Sequence, residues 1–328
     1  MPTNLPPQYF EAEKRYREAQ DPVEKAELLE ELIGTIPKHK GTDHLRADLR
    51  RKLSKLKTAA QPRKKGARRD PAWHIPKEGA GRAVLVGTSN TGKSALLAAL
   101  SNAEPDVSEA PFTSWTPTPG MMRVENVQIQ LIDTPSLDRD FVEPMLMDLV
   151  RSSDLILVVV DLGADPNQQL ERTLSLLAEH HIHPLRWKDR FDDGVRRSFL
   201  PVLVVANKCD DAAVDENFQI FRRLLAEDWQ AVAVSATAGR NLDQLQQAVF
   251  DRLEIIRIYS KAPGREADNN VPFVLRKGST VQEFAAQLHH DFYHKLKAAR
   301  VWGQGVYDGQ LVARDHVLHD GDIVELRI

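Results

Sequence analysis

Gly87-Thr-Ser-Asn-Thr-Gly92-Lys93-Ser94 is the stretch of this chain with the most legible chemistry. Its glycines let consecutive backbone N–H groups curl around anionic phosphate oxygens. A helix starting at its end adds the positive end of a helix dipole. Lys93 brings a fixed cation to the β- and γ-phosphates, and Ser94 brings a hydroxyl suited to Mg²⁺. The residues expected around phosphate are Asn90, Thr91, Gly92, Lys93, Ser94 and Ala95, with Lys93 also catalytic.

A phosphate loop does not choose a base. Asn207-Lys208-Cys209-Asp210 does, because the Asp210 carboxylate can accept from both N1–H and the exocyclic amine of guanine. Adenine lacks that pair of donors and would leave the carboxylate unsatisfied. The Lys208 stem can lie over the base, and the backbone of Ser235-Ala236-Thr237 can meet the guanine carbonyl. Asp133-Thr-Pro-Ser136 offers a carboxylate for a Mg²⁺-bound water. Order and spacing together predict GTP as ligand.

These pieces must hang on strands. Ala83–Val86, Leu155–Val160 and Val202–Ala206 are continuous apolar runs, as in parallel strands covered on both faces. Gln128–Ile132 alternates like a half-exposed strand, with Val124–Val127 as the turn before it, and Ala231–Val234 precedes Ser235. Helical patterns over Ser94–Leu100, Phe141–Val150, Asn167–Glu179, Glu216–Ala226 and Leu242–Leu253 lie between them. The alternation predicts a doubly wound α/β domain over residues 76–262.

Residues 1–75 read as a helical module and a linker. Asp21-Pro22-Val23-Glu24 is a helix start, Leu28, Leu29, Leu32 and Ile33 share a face, and Leu45, Leu49, Leu53 and Leu56 form a second stripe. Lys38 to Arg69 holds thirteen Lys and Arg against Asp43 and Asp48, in a chain of net charge −3. A basic arm on an acidic body suits a polyanion such as RNA, or else forms a solvated linker face. Residues 263–328 read as a small α+β domain, with a strand over Pro272–Arg276 and a helix over Thr280–Lys297.

The whole set resembles the developmentally regulated and Obg-like GTP-binding families. Ala110-Pro-Phe-Thr-Ser-Trp-Thr-Pro-Thr-Pro-Gly120 is similar to their switch I signature. Pro272–Val281, Val301-Trp-Gly303 and Asp315–Glu325 resemble a TGS domain, a ubiquitin-like β-grasp module. The resemblance implies a P-loop GTPase switching between GTP and GDP, with slow intrinsic turnover, and contacts to ribosome or RNA through Lys38–Arg69 and the TGS domain. It implies Thr113, Ser114, Asp133 and Ser136 as switch residues, Ser114 as catalytic, and Ser94, Ser114 and Asp133 around Mg²⁺, with Thr113 a rival to Ser114. It also implies that Asn90 holds K⁺ against the phosphates; the alternative is that Asn90 braces the loop by hydrogen bonds.

Three positions depart from the family pattern. Ser114 replaces a Thr, Ser136 a Gly, and Leu137 stands where Ras-like enzymes carry a catalytic Gln. Ser136 and Leu137 support a second reading, a nucleotide-occupied RNA- or ribosome-binding module with negligible hydrolysis. The extra domain that eukaryotic members insert in the G domain is expected to be absent, since Leu162–Pro201 leaves room for one helix and a loop.

Composition removes other classes. With 42% hydrophobic and 28% charged residues the chain is neither disordered nor fibrous, and Cys209 alone excludes an intrachain disulfide. No apolar run is long enough to span a bilayer and the N-terminus lacks a secretory pattern, so a cytoplasmic protein without a membrane partner is expected. His180, His181 and His183, the pair His290 and His294, and Cys209 are read as structural rather than metal-binding or redox residues. Trp302 is expected to pack the small domain.

Overall fold

The computed structural model describes residues 73–103, 116–139, 142–211, 213–268 and 271–327, together with Leu28, Leu29, Leu32, Ile33, Thr35 and Leu49. The chain divides into two compact units, Met1–Asp70 and Pro71–Ile328. In the first, the six described residues are helical, with Leu29, Leu32 and Leu49 buried. The rest of the expected helical module, including every Lys and Arg of Lys38–Arg69, lies outside the described residues, as do residues 110–115 of the switch I stretch, with Thr113 and Ser114.

The second unit opens with β1 (Arg82–Val86), α1 (Lys93–Leu100), β2 (Thr118–Val124), β3 (Val127–Asp133), α2 (Pro144–Arg151), β4 (Leu155–Asp161) and α3 (Pro166–Glu179). Then come β5 (Ile182–Pro184), a 3₁₀ turn (Leu185–Arg190), β6 (Ser198–Leu200), β7 (Val202–Asn207), α4 (Ala213–Leu224), β8 (Ala231–Ala233) and α5 (Leu242–Arg252). The large sheet runs β2-β3-β1-β4-β7-β8 and is parallel apart from β2. Alternation along the strands splits the core in two. Val84, Val86, Ile156, Val158, Val160 and Val204 pack with residues of α2, α3 and α4, while Ala83, Leu85, Leu157, Val159, Leu203 and Val205 pack with α1 and α5. Both faces are covered, which is why these strands read as unbroken apolar runs.

The expected doubly wound sheet therefore carries one antiparallel edge. β2 turns into β3 at Glu125 and Asn126, with Glu125 at φ 50°. Pro119 is tolerated there because an edge strand leaves one side of its backbone unpaired. Residues 180–200 hold more than a helix and a loop. β5 and β6 form a small parallel pair, and His183 is buried between Phe191 and Phe199, at 4.6 and 5.9 Å between ring centroids. Burial lowers the His183 pKa, and among the described residues no His, Cys, Asp and Glu group could hold a metal.

The small domain is β9 (Ile255–Ser260), β10 (Phe273–Arg276), α6 (Val281–Leu288), α7 (His290–Lys295), β11 (Ala298–Trp302), β12 (Gln310–Val312) and β13 (Ile323–Arg327), in a sheet ordered β10-β9-β13-β11-β12. Its first strand begins before the expected boundary at residue 263, because β9 pairs with β10 and β13 rather than with the large sheet. A capping box of Thr280 and Glu283 opens α6, and His289, in extended conformation, breaks the expected single helix into two. Trp302 packs as expected: Lys261 Nζ lies 4.6 Å from its ring centroid, and a Cβ on Gly309 would be 3.2 Å from the ring.

Candidate functional site

The C-terminal ends of β1, β3, β4 and β7 open onto one rim of the sheet, and the sequence places its polar motifs at those ends. The loop after β1 turns through Asn90 at φ 58° and Gly92 at φ 85° and enters α1, whose N-terminus no side chain caps. A loop of this kind leading into an uncapped helix N-terminus is an arrangement that can receive an anion. Gly92 is required twice over, by its left-handed backbone and because a Cβ would lie 2.3 Å from Asn207 Nδ2.

Lys93 is buried beneath this loop. Its ammonium donates to the carbonyls of Thr88 (2.8 Å) and Gly87 (3.3 Å) and to Ser136 Oγ (3.4 Å). Burial pushes its pKa from 10.5 down to about 8, against the pull of Asp133 and Asp138. Ser94 Oγ donates to Asp133 Oδ2 at 2.5 Å, and the buried Asp133 Oδ1 has no hydrogen-bond partner among the described residues. Burial raises the Asp133 pKa, while the Ser94 bond and Lys93 oppose the shift. A buried carboxylate oxygen with an unused lone pair beside a hydroxyl is a hard-oxygen donor set, and it fits Mg²⁺.

The other end of the rim is equally connected. Asn207 Nδ2 donates to Thr91 O (3.0 Å), and Asn207 Oδ1 accepts from Ala236 N (3.2 Å), so one side chain ties three loops together. Lys208, at φ 65°, pairs with Asp161 at 2.6 Å. Asp210 Oδ1 accepts from Ser235 Oγ and, at 3.0 Å, from Thr237 Oγ1. Thr91 is buried with its hydroxyl on Thr88 O, and Ala95 lies half-buried in the first turn of α1.

The loops thus bring together Thr91, Gly92, Lys93, Ser94, Ala95, Asp133, Ser136, Asn207, Lys208, Asp210, Ser235 and Ala236. Asn90 sits exposed on the same loop, and its side chain makes no hydrogen bond to a described residue. Its left-handed backbone supplies a further reason for asparagine at this position. Leu137 is fully buried in the core, with its N–H on Gly87 O, so its side chain is turned away from the loop's rim. Sequence reasoning missed Asp138, whose carboxylate accepts from Ser89 N (3.1 Å) and Ser89 Oγ (2.8 Å) and so fastens the segment after β3 to the phosphate loop. Nothing in the local sequence marks it.

Comparison with known proteins places this geometry. A family model described as 50S ribosome-binding GTPase matches residues 82–208, and a TGS-domain model matches residues 256–328. An uncharacterized GTP-binding protein of Methanocaldococcus jannaschii is 30% identical over 93% of this chain and 92% of its own length. Developmentally-regulated GTP-binding protein 1 of Xenopus laevis is 28% identical over 92% of this chain and 97% of its own. Among solved structures, the fold is similar to a GTP-binding protein from Pyrococcus horikoshii OT3, with TM-score 0.51, 17% identity, and 75% of this chain matched to 99% of that one. It is likewise similar to the YchF GTPase of Schizosaccharomyces pombe, with TM-score 0.52, 13% identity, and coverage of 78% and 99%. A P-loop ending in Lys93 and Ser94, the Asn207–Asp210 loop after β7 and a C-terminal TGS domain are joined in one chain, and that chain belongs to the developmentally regulated GTP-binding protein family of GTPases.

Proposed function

We propose that this protein hydrolyses GTP to GDP slowly, as a molecular switch that acts on ribosomes or RNA. The observation that carries the reading is the Asp210 carboxylate, held by Ser235 and Thr237 at one end of a rim whose other end holds the buried Lys93 ammonium. In this reading Asp210 accepts from guanine, the Lys208 stem covers the base, and Ser235 and Ala236 present backbone to the guanine carbonyl. Asn90, Thr91, Gly92, Ser94 and Ala95 surround the phosphates. Mg²⁺ would be held by Ser94 and Asp133, with Ser114 completing the set, and when bound it neutralises charge on the phosphate oxygens.

Hydrolysis joins a water oxygen to the γ-phosphorus and releases GDP with the electrons of the broken P–O bond. Lys93 supports that leaving charge electrostatically, and the loop amides do the same in a partly dry pocket. The switch residues Thr113, Ser114, Asp133 and Ser136 respond to the γ-phosphate in this reading. Leu137 is buried and orients no water, which supports slow intrinsic turnover and a need for help from a cation or a partner. In this reading Asn90 offers a carbonyl oxygen to K⁺; exchanging Na⁺ for K⁺ at equal ionic strength is expected to raise turnover about tenfold, or ~1.4 kcal/mol. Equal rates in both salts would remove the cation from the mechanism.

The match to a family described as 50S ribosome-binding GTPase supports the ribosomal partner, as does the basic stretch Lys38–Arg69. The second reading, a nucleotide-occupied binding module, is favoured by the buried Leu137. Single-turnover GTP hydrolysis with and without ribosomes separates the two. Ribosome-stimulated turnover supports the switch, and no turnover in either condition supports the module.

A further inference from the structure

Arg240, which no motif singles out, reaches both of the loops assigned to the base. Its backbone exchanges two hydrogen bonds with Ser235, N to O in each direction at 3.1 Å. Ser235 Oγ in turn donates to Asp210. The Arg240 guanidinium crosses to the other loop, where Nη1 donates to Asp211 O at 3.0 Å and to Cys209 O at 3.4 Å. Those carbonyls flank Asp210 on either side. Nη2 pairs with Asp215 at the start of α4, at 2.7 Å, and Asp215 also accepts from Cys209 Sγ at 3.2 Å.

We infer that Arg240 is a positioning residue for base discrimination, aiming the Asp210 carboxylate by bracketing its main chain on both sides and fixing its hydroxyl donor. The inference rests on the guanine reading proposed above. The Arg240–Asp215 pair is partly exposed, so as an ion pair it adds little to global stability. Its consequence is geometric. A carboxylate must face two donors at once to tell guanine from a base with one, and tilting it sacrifices the second bond first.

The test compares GTP with ITP, whose hypoxanthine base lacks the exocyclic amine, by titration calorimetry of the full chain. Wild type is expected to prefer GTP clearly. Arg240→Ala is expected to weaken GTP about tenfold and ITP about twofold, compressing the preference about fivefold, well within the ~100-fold that ~1 Å of misplacement can cost. Asp215→Asn leaves both carbonyl bonds and the backbone bridge in place, and should compress it about twofold. Arg240→Lys, a cation without the planar fork, should fall between wild type and alanine. If Arg240→Ala does not fold, these two variants carry the test. A preference that survives in every folded variant, with both nucleotides weakened alike, overturns the positioning role. Wild type binding GTP and ITP equally overturns the guanine reading and this inference with it.

Discussion

The nucleotide rim and the TGS domain handle charge in opposite ways. On the rim, burial raises the Asp133 pKa, one of its oxygens has no partner among the described residues, and burial pulls Lys93 down to about 8. In the small domain charges are matched. Arg257 on β9 pairs with Asp320 and with Glu125, and Asn126 donates to Tyr259 Oη at 2.7 Å, so the β2–β3 turn is fastened to the TGS sheet. Lys261 pairs with Glu325 at 2.9 Å, and the fully buried Asp322 accepts from Gln304 N and His319 N. Unmatched charge is costly in a folded protein, so its concentration at one rim marks where a charged ligand completes the arrangement.

The contrast is broken most severely at Lys93. Lys93→Met should weaken GTP binding by about 100-fold, or ~2.7 kcal/mol, as loss of a buried charged hydrogen-bonding group. The same change should raise the thermal midpoint of the free protein, because it removes a cation that burial disfavours. A lower midpoint would mean that Lys93 is already fully compensated. The pH dependence follows from the same shift. An unfolded chain keeps this proton up to about pH 10.5 while the folded one releases it near 8, so this group's contribution to stability rises between those values and is lost as pH falls through them. In the proposed reading GTP needs the ammonium, so affinity should hold below pH 8 and decline above it, by up to about tenfold per unit. Calorimetry across pH 7 to 10 checks both signs.

Arg257→Ala should act on the other side of the comparison. It removes matched bonds at the junction and is expected to lower stability by about 1–2 kcal/mol while leaving GTP affinity within about twofold. Differential scanning calorimetry with a parallel GTP titration reads both, and a large affinity loss would show that the β2–β3 turn transmits to the rim.

A further test concerns Cys209. Burial and the Asp215 carboxylate push its thiol up to about 11, so alkylation of the native protein at pH 8 should be about 100-fold slower than that of a free thiol. As the chain's one cysteine it gives a clean signal. Rapid labelling would mean that the Asn207–Asp210 loop opens.

What the sequence made legible follows from locality. β1, β4 and β7 were readable because strands covered on both faces are apolar throughout, and the Gly87–Ser94 and Asn207–Asp210 segments because their residues are contiguous. β2 was obscured by Pro119 and Gly120, residues that an edge strand accepts but a pattern does not advertise. β9 follows α5 with no linker signal, and its pairing with β10 and with β13, more than sixty residues later, assigns it to the small domain. Asp138 and Arg240 were hidden for the same reason, since their partners Ser89, Asp211 and Asp215 come from other loops. The Asn207 bridge from Thr91 to Ala236 likewise spans three motifs that sequence treats separately.

The central claim is that Asp210 reads guanine, and exchanging its acceptor for a donor tests it most directly. Asp210→Asn cannot satisfy both guanine donors and should lose about 2–3 kcal/mol of GTP binding, some 30- to 150-fold. Xanthine carries a carbonyl where guanine has its exocyclic amine, so the amide introduced by that substitution can donate to it and XTP affinity should rise. Titration of wild type and variant with GTP and XTP under one salt and Mg²⁺ condition reads both. Crossed preferences are the predicted result; a variant that binds GTP as wild type does, with no gain for XTP, would contradict the account.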